Sequence, residues 1–241
     1  MGRRPDAGRA AEMNLEIQAV TFDVGGTLIE PWPSVGHVYG AVAADHGISN
    51  LDCTELTERF GTAWKTKQGF DYSRAAWRDL VARTFADTVP AERLDAVFRD
   101  IYARFEQPDV WRVFDDVVPA LGALRSAGFK LGVISNWDER LRPLLDRLRL
   151  SQYFDVIVIS IEAGVAKPTP GIFAQAAALL KTEPNKILHV GDSLHEDVVG
   201  AQEAGLSALK LSRSGANDWG MAGLPALPLA LGIALSDNPA D

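Results

Sequence analysis

The sequence predicts an α/β fold: a doubly wound parallel sheet of about five strands, with a bundle of four helices inserted after the first strand. Two observations lead to this expectation. From residue 117 onward, short apolar runs alternate with helical segments, which is the pattern of parallel strands with helices on both faces. Between residues 31 and 114, apolar residues instead recur at helical spacing in four successive segments, as in a small helical bundle.

Five apolar runs are the predicted strands of the sheet. The first, residues 17–21, leads into segment 22–28, which reads Phe-Asp-Val-Gly-Gly-Thr-Leu. The other four are residues 130–134, 156–160, 187–190 and 208–211, preceded by helical segments 118–127, 141–148, 172–180 and 197–204. Gly128 and Gly205 lie where two of these helices should stop, because glycine readily adopts the left-handed conformation that ends a helix.

The inserted helices are indicated by the apolar face of each segment. These faces begin at Val35, Leu56, Trp77 and Leu94, and they continue at spacings of three or four residues. Four helices of this length, one after another, favour a bundle with its own apolar centre.

The same patterns predict how the chain is divided. We expect a disordered leader at residues 1–14, an α/β core at 15–30 and 115–241, and a helical cap at 31–114. Hinges between core and cap are expected near residues 31–33 and 114–116. With such a leader, Met13 rather than Met1 could be the functional start.

Composition narrows the class of protein. With 241 residues, 47% of them hydrophobic and 23% charged, the chain can bury a sizeable core. The net charge of −8 argues against a nucleic-acid-binding protein, which usually presents a basic face. No apolar run approaches the roughly eighteen residues of a membrane span, and the single Cys53 excludes an intrachain disulfide. We expect a cytoplasmic monomer or homodimer with no nucleic-acid or membrane partner.

Four short motifs carry polar residues that could do chemistry. Three of them end predicted strands, and the fourth precedes a predicted helix. In chain order they centre on Asp23, on Ser135 with Asn136, on Lys167, and on Asp192 with Asp197. Because the carboxyl ends of parallel strands meet at one edge of a sheet, we expect these side chains to lie in one cleft.

Taken singly, each motif also has a structural explanation. Asp23 or Asp192 could belong to a turn, Ser135 could cap a helix, and Lys167 could be a solvated charge. In the segment after Lys167, Thr169 is expected to cap the next helix and Pro170 to occupy its first position. The occurrence of all four motifs in this order favours a common function.

Together the motifs resemble those of the haloacid dehalogenase superfamily, in the subfamily I branch whose helical cap follows the first motif. The resemblance covers residues 17–211. It implies a Rossmann-like core and a Mg²⁺-dependent hydrolase. The reaction it implies is phosphatase action on a small phosphorylated metabolite, a phosphate monoester, through an aspartyl-phosphate intermediate.

The resemblance also implies a role for each residue. Asp23 would be the nucleophile, Ser135 would donate a hydrogen bond to a phosphoryl oxygen, and Lys167 would hold nucleophile and phosphate together. The implied substrate-binding residues are Gly26, Thr27, Asn136 and Lys167. The implied metal ligands are Asp23, the main-chain carbonyl of Gly25, and Asp192, with Asp197 acting behind them or through water.

The sequence departs from this pattern at Gly25, where such phosphatases usually carry a second aspartate that protonates the leaving group. Losing a general acid–base group typically costs about 10² to 10⁴ in rate, so slow turnover is expected. His37, Glu30 or Lys65 could substitute for it. An aspartate introduced at position 25 is expected to raise the phosphatase rate about tenfold or more, which would recover part of the missing acid–base contribution.

Two alternatives to a phosphatase stay open. The first is a phosphate- or partner-binding protein that has kept the metal site without efficient turnover. The second is a 2-haloacid dehalogenase, whose relatives also lack the second aspartate but usually carry an arginine shortly after the first motif. No arginine lies between Arg9 and Arg59, and Asp192 is retained, so dehalogenation is less favoured.

Two further segments bear on substrate choice. Segment 64–72 of the cap mixes aromatic residues and lysines. It could face the site and recognise the substrate, or it could be an exposed loop. Asp138 and Glu139 follow the Ser135 motif and are expected to be solvated charges at the start of a helix.

Overall fold

The secondary structure follows the predicted alternation. The computed structural model describes residues 17–67, 69–213 and 220–232, with Leu229 described by its backbone alone. Its elements are β1 (Ala19–Phe22), β2 (Ile29–Pro31), α1 (Val35–Asp45), α2 (Cys53–Lys65), α3 (Arg74–Phe85), α4 (Ala91–Arg104), β3 (Trp111–Val113), α5 (Val117–Ser126), β4 (Lys130–Ser135), α6 (Leu141–Arg147), β5 (Val156–Ile159), α7 (Ser160–Ala163), α8 (Pro170–Leu180), β6 (Ile187–Gly191), a π-helical turn (Leu194–Val199), α9 (Gly200–Glu203), β7 (Ser207–Lys210) and α10 (Ala226–Ala230). The predicted leader, residues 1–14, lies outside the described residues.

Five parallel strands form the central sheet, as predicted, and their order is β5-β4-β1-β6-β7. Strand β1 lies in the middle, and its Phe22 pairs with Val133 of β4 on one side and Val190 of β6 on the other. The carboxyl ends of these three neighbouring strands therefore lie side by side. Any polar residue that directly follows them shares one edge of the sheet.

Apolar packing covers both faces of the sheet. One cluster joins Val20 and Phe22 to residues of α5 and α6, and a second joins Ala19 and Ile187 to Phe173 of α8. Burial on both faces is what parallel strands require, and it explains why their sequences read as continuous apolar runs.

The four predicted helices α1–α4 form a helical insertion with an apolar cluster of its own, centred on Tyr39, Val81, Phe85, Val97 and Ile101. The chain enters this insertion through β2 and leaves it through β3, and these two strands pair as an antiparallel ladder. The boundaries and hinges of a separate cap domain stay a prediction.

Two local predictions differ from the structure. Thr169 does occupy the position before α8, with Pro170 as the first helical residue, but its side chain accepts no capping hydrogen bond. The helix predicted from Asp197 is preceded by the π-helical turn, so Asp197 lies inside this turn rather than at a helix start. By contrast, Gly128 and Gly205 end helices with φ of 88° and 82°, as predicted. None of the helices in the described ranges is both long and apolar enough to span a bilayer.

Candidate active site

The ends of the three central strands bring Asp23, Ser135 and Asp192 together. Asp23 follows β1, Ser135 is the last residue of β4, and Asp192 follows β6. The Ser135 hydroxyl donates to Asp23 Oδ1 at 3.2 Å, although 112 positions separate the two residues. Strand termination alone thus places a hydroxyl and two carboxylates at one edge of the sheet.

Lys167 enters the same site from the segment before α8. Its ammonium donates to Asp23 Oδ1 at 2.7 Å and to Asp197 Oδ1 at 2.6 Å, and its side chain is buried. Asn136 fixes the main chain of Lys167 from both sides: its Oδ1 accepts from the Lys167 N–H, and its Nδ2 donates to the Lys167 carbonyl. The predicted substrate-binding Asn136 therefore also positions the lysine.

Asp197 is held behind the lysine by a second set of contacts. Its Oδ1 lies 3.2 Å from His189 Nε2, and its Oδ2 accepts the main-chain N–H of Ser193. His189 is fully buried in β6, and its other ring nitrogen lies 3.0 Å from Thr21 Oγ1. A side chain on Gly191 would begin 2.2 Å from the Asp197 carboxyl carbon, so glycine is required there. Both carboxylate oxygens of Asp197 are thus already engaged.

The site carries more carboxylates than cationic side chains. Asp23, Asp192 and Asp197 each place a carboxylate oxygen within 4.8 Å of the others, and Lys167 contacts two of them, Asp23 and Asp197. Burial opposes ionisation of Asp197, but Lys167 and His189 outweigh it and hold the pKa of this carboxyl well below its usual range. Burial raises the pKa of Asp23, and partial desolvation of the Asp192 carboxyl in the cavity floor, together with the Asp23 charge, raises the pKa of Asp192 to about 7.

The donor set at this edge fits a hard divalent cation. Asp23 and Asp192 offer carboxylate oxygens, and among the described residues no N–H or O–H donates to the Gly25 carbonyl. Gly26 has φ of 76°, and a side chain there would begin 2.6 Å from Asp192 Oδ2, so only glycine lets the loop approach this carboxylate. Three carboxylates against one ammonium leave an excess negative charge that Mg²⁺ would neutralise with oxygen ligands.

A cavity of about 530 Å³ separates the strand ends from the helical insertion. Its floor includes Asp23, Ser135, Lys167 and Asp192, together with Gly25, Gly26, Asn136 and Asp197. Thr27, predicted to bind substrate, does not line it. The loop turns inward after Gly26, where the N–H groups of Thr27 and Leu28 both donate to Val24, and the Thr27 side chain is fully buried.

The sequence interpretation missed a buried ion pair in the cavity wall. Asp138, expected to be solvated, is fully buried and accepts two hydrogen bonds from the Arg140 guanidinium, at 2.8 and 2.6 Å. The third guanidinium nitrogen donates to the Tyr102 carbonyl, and the guanidinium carbon lies 3.6 Å from the centre of the Tyr102 ring. Glu139 is exposed as expected, and it accepts from the Tyr102 hydroxyl. The signal in the sequence was an opposite charge two residues from Asp138.

The three groups proposed to replace the missing aspartate do not line the cavity. Glu30 pairs with Arg112 on the β2–β3 ladder, and His37 is an exposed residue bonded to Ser34. Lys65 is exposed at the end of α2. None of them is placed to protonate a leaving group at Asp23.

Segment 64–72 faces the cavity in part. Trp64 and Tyr72 line it, and Tyr72 is buried, so the exposed-loop alternative is wrong for these two side chains. Lys65 and Thr66 are exposed, as a loop would be. The Lys67 ammonium lies 3.2 Å from the centre of the Trp64 ring. Trp64 and Tyr72, rather than the lysines of this segment, belong to the cavity wall.

Fold and site together place a buried carboxylate and a lysine in contact at the edge of a parallel sheet. A sequence model described as haloacid dehalogenase-like hydrolase matches residues 17–205. The chain is 34% identical over 203 residues to a haloacid dehalogenase-like hydrolase domain-containing protein 3 from Bos taurus, covering 80% of each chain. It is 30% identical over 191 residues to a phosphoglycolate phosphatase from Aquifex aeolicus, covering 78% of this chain and 82% of the relative.

Among solved structures, a HAD phosphatase from Thermococcus onnurineus superposes with a TM-score of 0.66 at 28% identity, covering 89% of this chain and 98% of that one. The superposition therefore covers most of both chains and is not limited to the sheet. The chain belongs to the haloacid dehalogenase-like hydrolases.

Proposed function

We propose that this protein is a Mg²⁺-dependent phosphatase of a small phosphate monoester, working through an aspartyl-phosphate. The observation that carries the proposal is the contact between Asp23 and Lys167 at 2.7 Å, with Ser135 on the same carboxylate oxygen. A carboxylate held by a buried ammonium and a hydroxyl is positioned beside groups that can also receive phosphoryl oxygens.

In the first step the Asp23 carboxylate would attack phosphorus, and the bond from phosphorus to the alcohol oxygen would break, with the alcohol taking a proton from solvent. In the second step water would attack the same phosphorus and give a proton to solvent, and the bond from phosphorus to Asp23 would break, releasing phosphate. Lys167 and Ser135 would contact the phosphoryl oxygens throughout, because phosphoryl transfer depends chiefly on positioning and charge neutralisation. Asp197 would hold Lys167 in place.

Asp23, the Gly25 carbonyl and Asp192 would hold Mg²⁺. When bound, the cation supplies neutralisation of the charge on the phosphoryl group. Asp197 stands apart from this set because Lys167, His189 and Ser193 already occupy its oxygens.

Two relatives support a small phosphorylated substrate by their names. One is the phosphoglycolate phosphatase of Aquifex aeolicus, and the other is a glyceraldehyde 3-phosphate phosphatase from Methanopyrus kandleri.

The test is phosphate release from a panel of monoesters, with and without Mg²⁺. Wild type should turn over at least one ester only when Mg²⁺ is present. Asp23→Asn should abolish the activity, because an amide is a poor nucleophile, whereas Asp79→Asn on the exposed surface of α3 should leave it unchanged. Metal-dependent turnover that survives in Asp23→Asn would refute the mechanism.

The second candidate function is binding of phosphate without efficient turnover. It is favoured by Gly25, which supplies no proton donor, and by Trp137, whose ring stands beside it. Binding of a phosphate mimic such as vanadate, with no turnover of any ester, would select this alternative. Dehalogenation gains no support from Arg140, because Asp138 and Tyr102 engage all three of its nitrogens.

A further inference from the structure

We propose that the ester cleaved at this site carries an aromatic ring on its alcohol part, and that the helical insertion selects this ring against polyhydroxylated alcohols such as those of sugar phosphates. The inference rests on the proposed function, which places the phosphate at Asp23. The cavity above Asp23 then has to accommodate the alcohol.

An unbroken series of ring contacts surrounds this cavity. It starts at Trp137, whose ring reaches the edge of Gly25 in the nucleophile loop. From Trp137 each ring lies within 6.0 Å of the next, centre to centre, through Trp111, Phe105, Tyr39, Phe60 and Trp64. All of these residues line the cavity. Aromatic rings favour a flat apolar partner, which can stack on them or meet them edge to face.

The walls offer little to a polyol. Among the described residues that line the cavity, the cations are Arg140 and Lys167, and both are paired with buried carboxylates. Each hydroxyl of a sugar would lose its water and would find few replacement partners on aromatic walls, which is unfavourable. Apart from Arg140, which is neutralised in the wall by Asp138, the charged groups lie on the floor, where the phosphate would be.

One polar atom in the wall points independently to a ligand. Trp77 Nε1 is buried, and within the described residues it has no hydrogen-bond partner. Buried donors are rarely left unsatisfied, because the cost is about 1–3 kcal/mol for each one. Trp77 lines the cavity, but its Nε1 is not itself accessible, so a small shift of the Trp77 ring on binding is needed for an acceptor atom on a bound ring to satisfy this donor.

The volume suits such an occupant. A cavity of about 530 Å³ lies within the range of small-molecule sites, roughly 300–1,000 Å³, and holds a phosphate with one or two rings.

The test measures binding of two phosphonates, which resist hydrolysis, to wild type with Mg²⁺ by calorimetry. Benzylphosphonate carries a ring, and 2,3-dihydroxypropylphosphonate carries a polyol of similar length. We expect benzylphosphonate to bind at least about tenfold more tightly, because its ring buries apolar area against the aromatic walls. Equal affinity, or tighter binding of the dihydroxypropyl compound, would overturn the inference.

A matched pair of variants assigns the preference to the wall. Trp64→Leu removes a ring that lines the cavity, and Trp32→Leu removes a ring that is 46% exposed and outside it. Trp64→Leu should raise the Kd of benzylphosphonate about fivefold or more and leave that of the dihydroxypropyl compound within about twofold. Trp32→Leu should change neither, and equal effects of the two variants would overturn the assignment. If Trp64→Leu does not fold, the wild-type comparison decides.

Turnover is a separate readout. Cleavage of benzyl phosphate and glycerol 1-phosphate compares two primary alcohols as leaving groups, so a preference for the benzyl ester reports the cavity. If no ester is cleaved but benzylphosphonate binds more tightly, the proposed phosphatase fails and the inference on the cavity stands. If both esters are cleaved equally well, the phosphatase stands and the inference fails.

Discussion

The ring of Trp137 occupies the space beside Gly25 in which a side chain on residue 25 would begin. A Cβ on Gly25 would lie 3.2 Å from Cζ3 of Trp137, which is tighter than ordinary contact. Gly25 does not have a positive φ, unlike Gly26, so the backbone alone would accept another residue. The obstacle to an aspartate at this position is therefore the tryptophan, and the two positions are coupled.

This coupling changes the expectation for Gly25→Asp. Alone, the substitution should give less than the tenfold gain expected from the sequence, because Trp137 has to shift. Combined with Trp137→Ala, it should raise phosphate release from an ester with a poor leaving group by about tenfold over Trp137→Ala alone. Steady-state rates of the four proteins in this cycle give the coupling. Additive effects would show that Trp137 does not obstruct position 25.

Replacing Lys167 should destabilise the fold as well as the reaction. Lys167→Met would leave Asp197 and Asp23 buried without their cation, which typically costs about 3–5 kcal/mol in free energy of unfolding. Without the lysine, the pKa of buried Asp197 should rise above its unfolded value. The loss should therefore be larger near pH 8 than near pH 5, as measured by urea unfolding at both values. A deficit independent of pH would contradict this account.

Asp192→Ala should remove Mg²⁺ binding and leave the fold intact. The side chain of Asp192 is exposed, so its removal opens no cavity in the core. In wild type, Mg²⁺ at a hundred times its Kd should stabilise the fold by about 2.7 kcal/mol, and this increment should vanish in the variant. Thermal unfolding with and without Mg²⁺ measures it. Glu203→Ala, which removes an exposed carboxylate from α9, is the control and should keep the increment.

For the Asp138–Arg140 pair, we expect the double substitution to destabilise the protein less than the single substitution of Arg140. Arg140→Met should cost about 3–5 kcal/mol, because it leaves Asp138 charged and fully buried. Asp138→Asn combined with Arg140→Met should recover part of this loss, since no uncompensated charge remains. Chemical denaturation of wild type and of the two variants tests it. Equal stabilities of the single and the double variant would show that charge isolation is not the cause.

Two glycines provide a matched test of the space behind Asp197. Gly191→Ala should destabilise by about 1–3 kcal/mol or displace Asp197, because the new methyl would lie 2.2 Å from its carboxyl carbon. Gly122→Ala in α5 meets no atom within 4 Å and should stabilise by about 0.5–1 kcal/mol through helix propensity. Unfolding free energies of opposite sign are expected.

Strand endings were the part of the site that the sequence could predict. An apolar run that stops at Asp23, Ser135 or Gly191 identifies both the strand and the residue beyond its end, and parallel topology brings those ends together. The glycines that end helices were predictable for the same local reason.

Features that depend on tertiary packing were not predictable in this way. The burial of Asp138 results from Tyr102, which comes from a helix 36 positions earlier and covers Arg140. The inward turn of Thr27 and the approach of Trp137 to Gly25 likewise depend on contacts between distant segments. Residue type and spacing alone do not distinguish whether such a side chain faces the solvent or the substrate.

The β2–β3 ladder has a consequence for how such chains can diversify. Pro31 and Trp111 are paired across the ladder, so the two ends of everything between them lie at neighbouring points. A gene segment encoding a different bundle, or only a tight turn, could join these two points without moving the strands that carry Asp23 and Ser135. In this architecture the helical insertion could therefore be replaced without altering the strand ends. Recombination at two neighbouring sites would suffice to give the same reaction a different range of substrates.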